Sequence, residues 1–170
     1  NIAFLNSPNR KIKIICIEPN PINIDRLKKN IALLTNKIKN IKKLVKIINC
    51  AVDKNNYKKK LDFSNGLANG YISSNKSNKN TITVNCKKLY DIIKEENIKY
   101  ITNLKIDIEG HEDRALIPFF NSSKRSLFPK NILLEHSSNK LWKKDLIKFL
   151  FKKGYKVVFK NKSNLALTLN

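Results

Sequence analysis

The chain has 170 residues, 41% of them hydrophobic, with 35 Lys+Arg against 13 Asp+Glu and a formal net charge of +22. That length suits a single domain with a real core, residues 1–170, and no apolar run approaches the ~18 residues that a membrane-spanning helix needs. Three widely spaced cysteines, Cys16, Cys50 and Cys86, fit neither a disulfide framework nor a zinc site and read as reduced thiols of a cytoplasmic protein. The first residue is Asn and no charged-then-apolar leader follows it. No signal peptide is therefore expected, and the chain reads as part of a longer protein. The basic residues are nearly all Lys, scattered among abundant Asn, which fits the coding bias of an AT-rich genome better than a phosphate-reading surface, where Arg is favoured. Nonspecific polyanion binding would follow from the charge in either case.

In chain order, residues 12–18 form a β-branched run ending on Glu18, and Pro19-Asn20-Pro21 stops it. Asn20 is placed to cap a helix and Pro21 to start it, with Ile24, Leu27, Ile31 and Leu34 at helical spacing. Residues 44–52 read as one strand. Residues 53–80 are polar and read as a long loop with one hairpin, Leu61–Phe63 and Tyr71–Ile72 against 81–85. A strand is expected over 81–86, a helix over 88–96 and a strand over 100–108. The helix expected over 111–120 is ended or kinked by Pro118. A strand over 131–136 and a helix over 139–154 follow, the helix carrying Trp142, Leu146, Phe149 and Leu150 on one face and closed by Gly154. Strands 155–160 and 164–170 form a terminal hairpin. Strands alternating with helices predict an α/β protein with a mostly parallel, Rossmann-like sheet and an antiparallel C-terminal hairpin.

In such sheets ligands bind beyond the carboxyl ends of the strands, so the residues that follow each strand are the functional candidates: Glu18, then Cys50 to Asp53, then Asp107 and Glu109, then Glu135 and His136. An acid after a strand, as at Glu18, can accept both hydroxyls of a ribose; equally, it can cap the helix that follows. Four carboxylates, Asp107, Glu109, Glu112 and Asp113, crowd seven residues around Gly110. Glu112 and Asp113 suit the positive end of the helix dipole. Lys105 alternates with Asp107 and shares its face of the strand.

The segments "CIEPNPINIDRLKKNI", "INCAV", "LYDII" and "LKIDIEGHEDRAL" together resemble the FkbM family of S-adenosylmethionine-dependent methyltransferases, over roughly residues 10–136. The resemblance implies that Glu18 holds the ribose hydroxyls of S-adenosylmethionine, with Asn20 beside the adenosine. Ala51 and Val52 would line the adenine slot, with Asp53 at the base edge. Asp107 would face the methyl-transfer cavity, where carboxylates stabilise the cofactor's sulfonium and ammonium, while Glu109 and Gly110 shape the turn. It implies O-methylation of a hydroxyl on a sugar, glycan or small metabolite, with Asp107, His136 or His111 as proton acceptor and no metal; the acceptor pocket would draw on 53–80 and 136–140. One feature departs from the pattern. The first glycine is Gly66 and no G-x-G occurs, so the family's first strand and glycine-rich turn would precede residue 1, with residues 1–7 the remnant of the next helix. The chain reads as N-terminally incomplete, with weak or no cofactor binding expected of these residues alone and a rearranged sheet, or a partner chain, filling the gap. Two rival readings are a noncatalytic basic protein for nucleic acid or an anionic surface, centred on Tyr57 and its lysines, and an inactive methyltransferase remnant.

Overall fold

A computed structural model describes residues 12–62, 71–72 and 81–170. The expectations placed on residues 1–7, on Phe63 and on most of 64–80 lie outside the described residues. Two compact units divide the chain. The first takes in residues up to Ala51 and those from Tyr57 to Cys86, and the second Val52–Asn56 and Lys87–Asn170.

In the first unit, β1 (Ile14–Ile17) pairs in parallel with β2 (Val45–Ile48), Ile14 opposite Val45 and Ile17 opposite Ile48. Between them runs α1 (Pro21–Leu33). Pro21 opens it and the Asn20 side chain accepts from Ile22 N, as the sequence predicts. Ile24 is buried, but Leu34, expected on the same face, lies past the helix end and is exposed. A short helix, α2 (Ile41–Leu44), leads into β2.

The strand expected over 44–52 is broken in two. Asn49 Nδ2 donates to the carbonyls of Glu18 and Pro19 at 3.1 and 3.0 Å, and Cys50 N turns back onto Ile48 O. The remainder, β3 (Ala51–Val52), belongs to another sheet of order β3-β6-β4-β5, where β4 is Tyr57–Asp62, β5 Tyr71–Ile72 and β6 Thr81–Lys87. β4 is antiparallel to both β5 and β6. Leu61 and Asp62 therefore pair with Ile82 and Thr81 as expected, but Tyr71–Ile72 pairs with β4 and not with β6, and residues 57–60, read as loop, are strand. Three consecutive lysines hide the alternation. On one face Lys59 lays its stem beside Tyr57, Nζ 6.0 Å from the ring centroid, while Leu61 is buried against Val84 and Cys86, as long cationic side chains allow.

The second unit is built on a sheet of order β7-β8-β10-β9, with β7 Asn103–Ile106, β8 Asn131–Glu135, β9 Tyr155–Lys160 and β10 Asn164–Leu169. β7 and β8 are parallel, and the terminal hairpin inserts β10 antiparallel between β8 and β9. Helices α3 (Leu89–Glu95), α4 (Glu112–Ser122) and α5 (Leu146–Lys152) complete it. α3 buries Leu89, Ile92 and Ile93. Its first turn is held from the preceding linker, where Asn56 Oδ1 accepts from Lys88 N and Asn56 Nδ2 donates to Asp91. α4 runs through Pro118 to Ser122 rather than ending there, because Phe119 and Phe120 anchor its last turn in the core. Phe120 meets Phe119, Phe128, Phe149 and Tyr155 edge to face, a geometry that ring quadrupoles favour. The helix expected over 139–154 is also shortened. Residues Asn139–Leu141 form a 3-10 turn, Trp142 is extended, and α5 begins only after Asp145, whose carboxylate caps it from Lys148 N. No helix among the described residues is long and apolar enough to cross a membrane.

Candidate functional site

The strand-end residues of the first unit form a tight cap. Glu18 follows β1, and its N–H extends the parallel ladder to Ile48 O. Its Oε1 accepts from Asn20 N at 2.8 Å, while Asn20 Oδ1 accepts from Ile22 N at 2.9 Å. The acid and the capping amide thus fix the turn together, and Asn20 is buried. Glu18 Oε2 makes no hydrogen bond among the described residues, so a half-buried carboxylate presents one open oxygen just past a parallel strand. Ala51 and Val52 are half-buried in β3, Ala51 against the Leu61, Val84 and Cys86 cluster.

In the second unit the acids divide into two groups with different work. Glu112 and Asp113 are buried and hold the chain that follows β8. Glu112 Oε1 accepts from Ile108 N and Gly110 N at 2.9 and 3.3 Å, and Oε2 from Trp142 Nε1 at 2.7 Å. Asp113 Oδ2 accepts from Lys143 N and Lys144 N at 2.9 and 3.2 Å. The bonds from Trp142, Lys143 and Lys144 reach across about thirty residues of chain, which is why 142–145 is not helical. The sequence assigned both acids to the helix dipole; no local signal reveals a partner so far along the chain.

Asp107 and Glu109 remain at the rim. Lys105 Nζ reaches Asp107 Oδ2 at 3.2 Å, the pairing that strand alternation predicts, but both side chains are well exposed and the contact is weak. The chain then turns through two left-handed residues, Glu109 at φ 55° and Gly110 at φ 86°. Gly110 also has no room for a side chain, since a Cβ there would lie 2.7 Å from Leu141 Cδ1. Burial, reinforced by the charges of Asp107, Glu135 and Glu112, raises the Glu109 carboxyl above its ordinary value of 4.5. Glu135, at the end of the neighbouring parallel strand, accepts from Ser137 N and Ser137 Oγ through Oε1. Its Oε2 is buried with no partner among the described residues. Like charges crowded at adjacent strand ends favour a cation among them.

The remaining candidates are placed as follows. Asp53 is buried and receives a two-pronged bond from Arg114 of α4, Nε to Oδ1 at 2.8 Å and Nη2 to Oδ2 at 2.7 Å. The sequence singled out Asp53 but not Arg114. His111 caps α4 without a side-chain bond to its backbone. His136 Nε2 donates to Asn161 O at 3.1 Å and its backbone N–H to Ser163 O. The ring is thereby oriented, and Nδ1 is left as the basic nitrogen of the neutral form. All three cysteines are free.

A family model described as the methyltransferase FkbM domain matches residues 3–157. Among solved structures, the chain is similar to the crystal structure of methyltransferase FkbM from Methylobacillus flagellatus KT, with a TM-score of 0.62 at 17% identity, over 93% of this chain and 36% of that one. At that identity the likeness shows the fold, and the chain spans only about a third of that protein's length. No curated protein matches the chain.

Proposed function

Because the chain belongs to the FkbM methyltransferase family, we propose that it takes its methyl group from S-adenosylmethionine and delivers it to a hydroxyl of a sugar, glycan or other small metabolite. The observation that carries the cofactor assignment is the carboxylate cluster of Asp107, Glu109 and Glu135, in which burial and the neighbouring charges raise the Glu109 carboxyl above its ordinary value. Such a cluster suits a ligand that brings positive charge. The open oxygen of Glu18 after β1 suits a ribose hydroxyl, and Asn20 and the β3 residues Ala51 and Val52 suit the adenosine. Asp53, engaged by Arg114, would meet a base edge only beside that pair.

When bound, the cofactor supplies an electrophilic methyl group on a sulfonium. What the protein adds is alignment and charge. Holding the acceptor oxygen in line with the methyl removes most of the entropic barrier, and fixed carboxylates stabilise the cationic donor before transfer. His136 suits the proton acceptor because its Nε2–H is bound to Asn161 O, leaving Nδ1 to take the hydroxyl proton. Asp107 and His111 are the other candidates for that proton. Both units belong to one methyltransferase domain on this reading, as a family match running through both supports. Three free cysteines support a cytoplasmic setting.

The test is a thermal melt with S-adenosylmethionine in large excess. A ligand that binds only the folded state raises the midpoint, by about 2.7 kcal/mol of added stability at a hundred times its dissociation constant. Glu18→Gln is expected to reduce that rise. No rise with the unaltered protein would remove the cofactor from the reading.

A further inference from the structure

The segment that follows β8 carries a groove of about 630 Å³, whose lining includes Trp142, Lys143, Lys144, Asp145, Lys148 and Phe151. Its size falls in the range of small-ligand sites. Its walls are rigid. The Trp142 indole is tied to buried Glu112, the Lys143 and Lys144 amides to buried Asp113, and α5 is rooted by the fully buried Leu146 and Leu150. Phe151 stays 48% exposed. None of the three lysines forms an ion pair among the described residues, and the one acid in the lining, Asp145, accepts through Oδ1 from the Lys148 backbone N–H. The result is an aromatic surface, preorganised by its own hydrogen bond and flanked by three uncompensated ammonium groups.

We propose that this groove binds a nucleotide, its base against Trp142 and its phosphate among Lys143, Lys144 and Lys148, with Asp145 Oδ2 available to a ribose hydroxyl. Stacking on an aromatic ring combined with lysine contacts to phosphate is the chemistry by which proteins hold nucleotides and single strands without reading sequence. Either a free nucleotide or one unit of a strand offers that pair of groups. The proposal does not depend on methyl transfer.

Trp142 is the single tryptophan of the chain, so its fluorescence reports this groove. Adenosine monophosphate should quench it saturably, and calorimetry should give the same affinity. Adenosine and ribose 5-phosphate should each bind more weakly. Oligothymidylate binding more tightly than thymidine monophosphate would identify a strand as the source, and equal binding a free nucleotide. Lys148→Glu, and independently Lys144→Glu, should weaken adenosine monophosphate about tenfold, while Lys28→Glu on α1 should not. The proposal is overturned by absence of quenching, by equal quenching with ribose 5-phosphate, by equal weakening in Lys28→Glu, or by displacement with excess S-adenosylhomocysteine, which would assign the signal to the cofactor site.

Discussion

Glu112 uses both carboxylate oxygens on donors from its own loop and from Trp142, so its role is structural although it sits beside the rim. Glu112→Gln keeps the shape but turns an amide N–H₂ toward at least one N–H donor. Leaving a buried donor unsatisfied costs about 1–3 kcal/mol, so the melting temperature should fall by several degrees, with a change in Trp142 emission as the indole loses its acceptor. A variant that melts with the parent would show that the three bonds contribute nothing. Glu109 behaves oppositely. Its folded-state carboxyl is raised by burial and by Asp107, Glu135 and Glu112, so the folded chain binds that proton more tightly than the unfolded chain. The stabilising contribution is therefore complete below the ordinary value of 4.5 and is lost as pH rises through the raised value. Glu109→Gln should melt no lower than the parent at neutral pH and should flatten the pH dependence across that window. An unchanged pH dependence would mean that the carboxylates do not repel one another there.

At the scale of elements, the turn between β7 and α4 is locked by a glycine that no other residue replaces. Gly110 has φ 86°, and an added Cβ would meet Leu141 Cδ1 at 2.7 Å and Leu141 Cβ at 2.9 Å. Gly154, which ends α5 at φ 98°, would meet the Arg125 guanidinium at 3.3 Å and Leu169 Cδ1 at an ordinary 3.7 Å. Gly154→Ala should thus cost about 1 kcal/mol from backbone strain, and Gly110→Ala distinctly more. Equal melting temperatures for the two would contradict the packing of residues 138–142 onto the turn. The same contrast explains what the sequence disclosed. Asn20 and Pro21 announce α1 because capping is a local interaction, and Gly154 announces the end of α5 for the same reason. The start of α5 was hidden because distant acids, Glu112 and Asp113, capture the donors of 142–144. β4 was hidden because the face that carries buried Leu61 also carries the half-buried Lys59, whose partner strand β6 lies more than twenty residues later. Of the proposed site, Glu18, Asp107 and Glu109 stand out in the sequence by their positions after strands. Arg114, which claims Asp53, was not, since a long-range ion pair leaves no trace in spacing.

For the molecule as a whole, two compact units, each with a parallel strand pair ending in an acid, occur in a chain of net charge +22. Negative side chains are scarce, and their concentration after β7 and β8 runs against the overall field. Those acids that serve architecture are buried and fully engaged on one oxygen at least. Those left at the rim repel one another, as a site for a cation would. The most direct test compares S-adenosylmethionine with S-adenosylhomocysteine, which lacks the sulfonium charge, by calorimetric titration of the protein and of Asp107→Asn. The account predicts that the charged donor binds more tightly than the uncharged product and that Asp107→Asn narrows the difference. Equal affinities that the substitution leaves unchanged, or no binding of either compound, would contradict it.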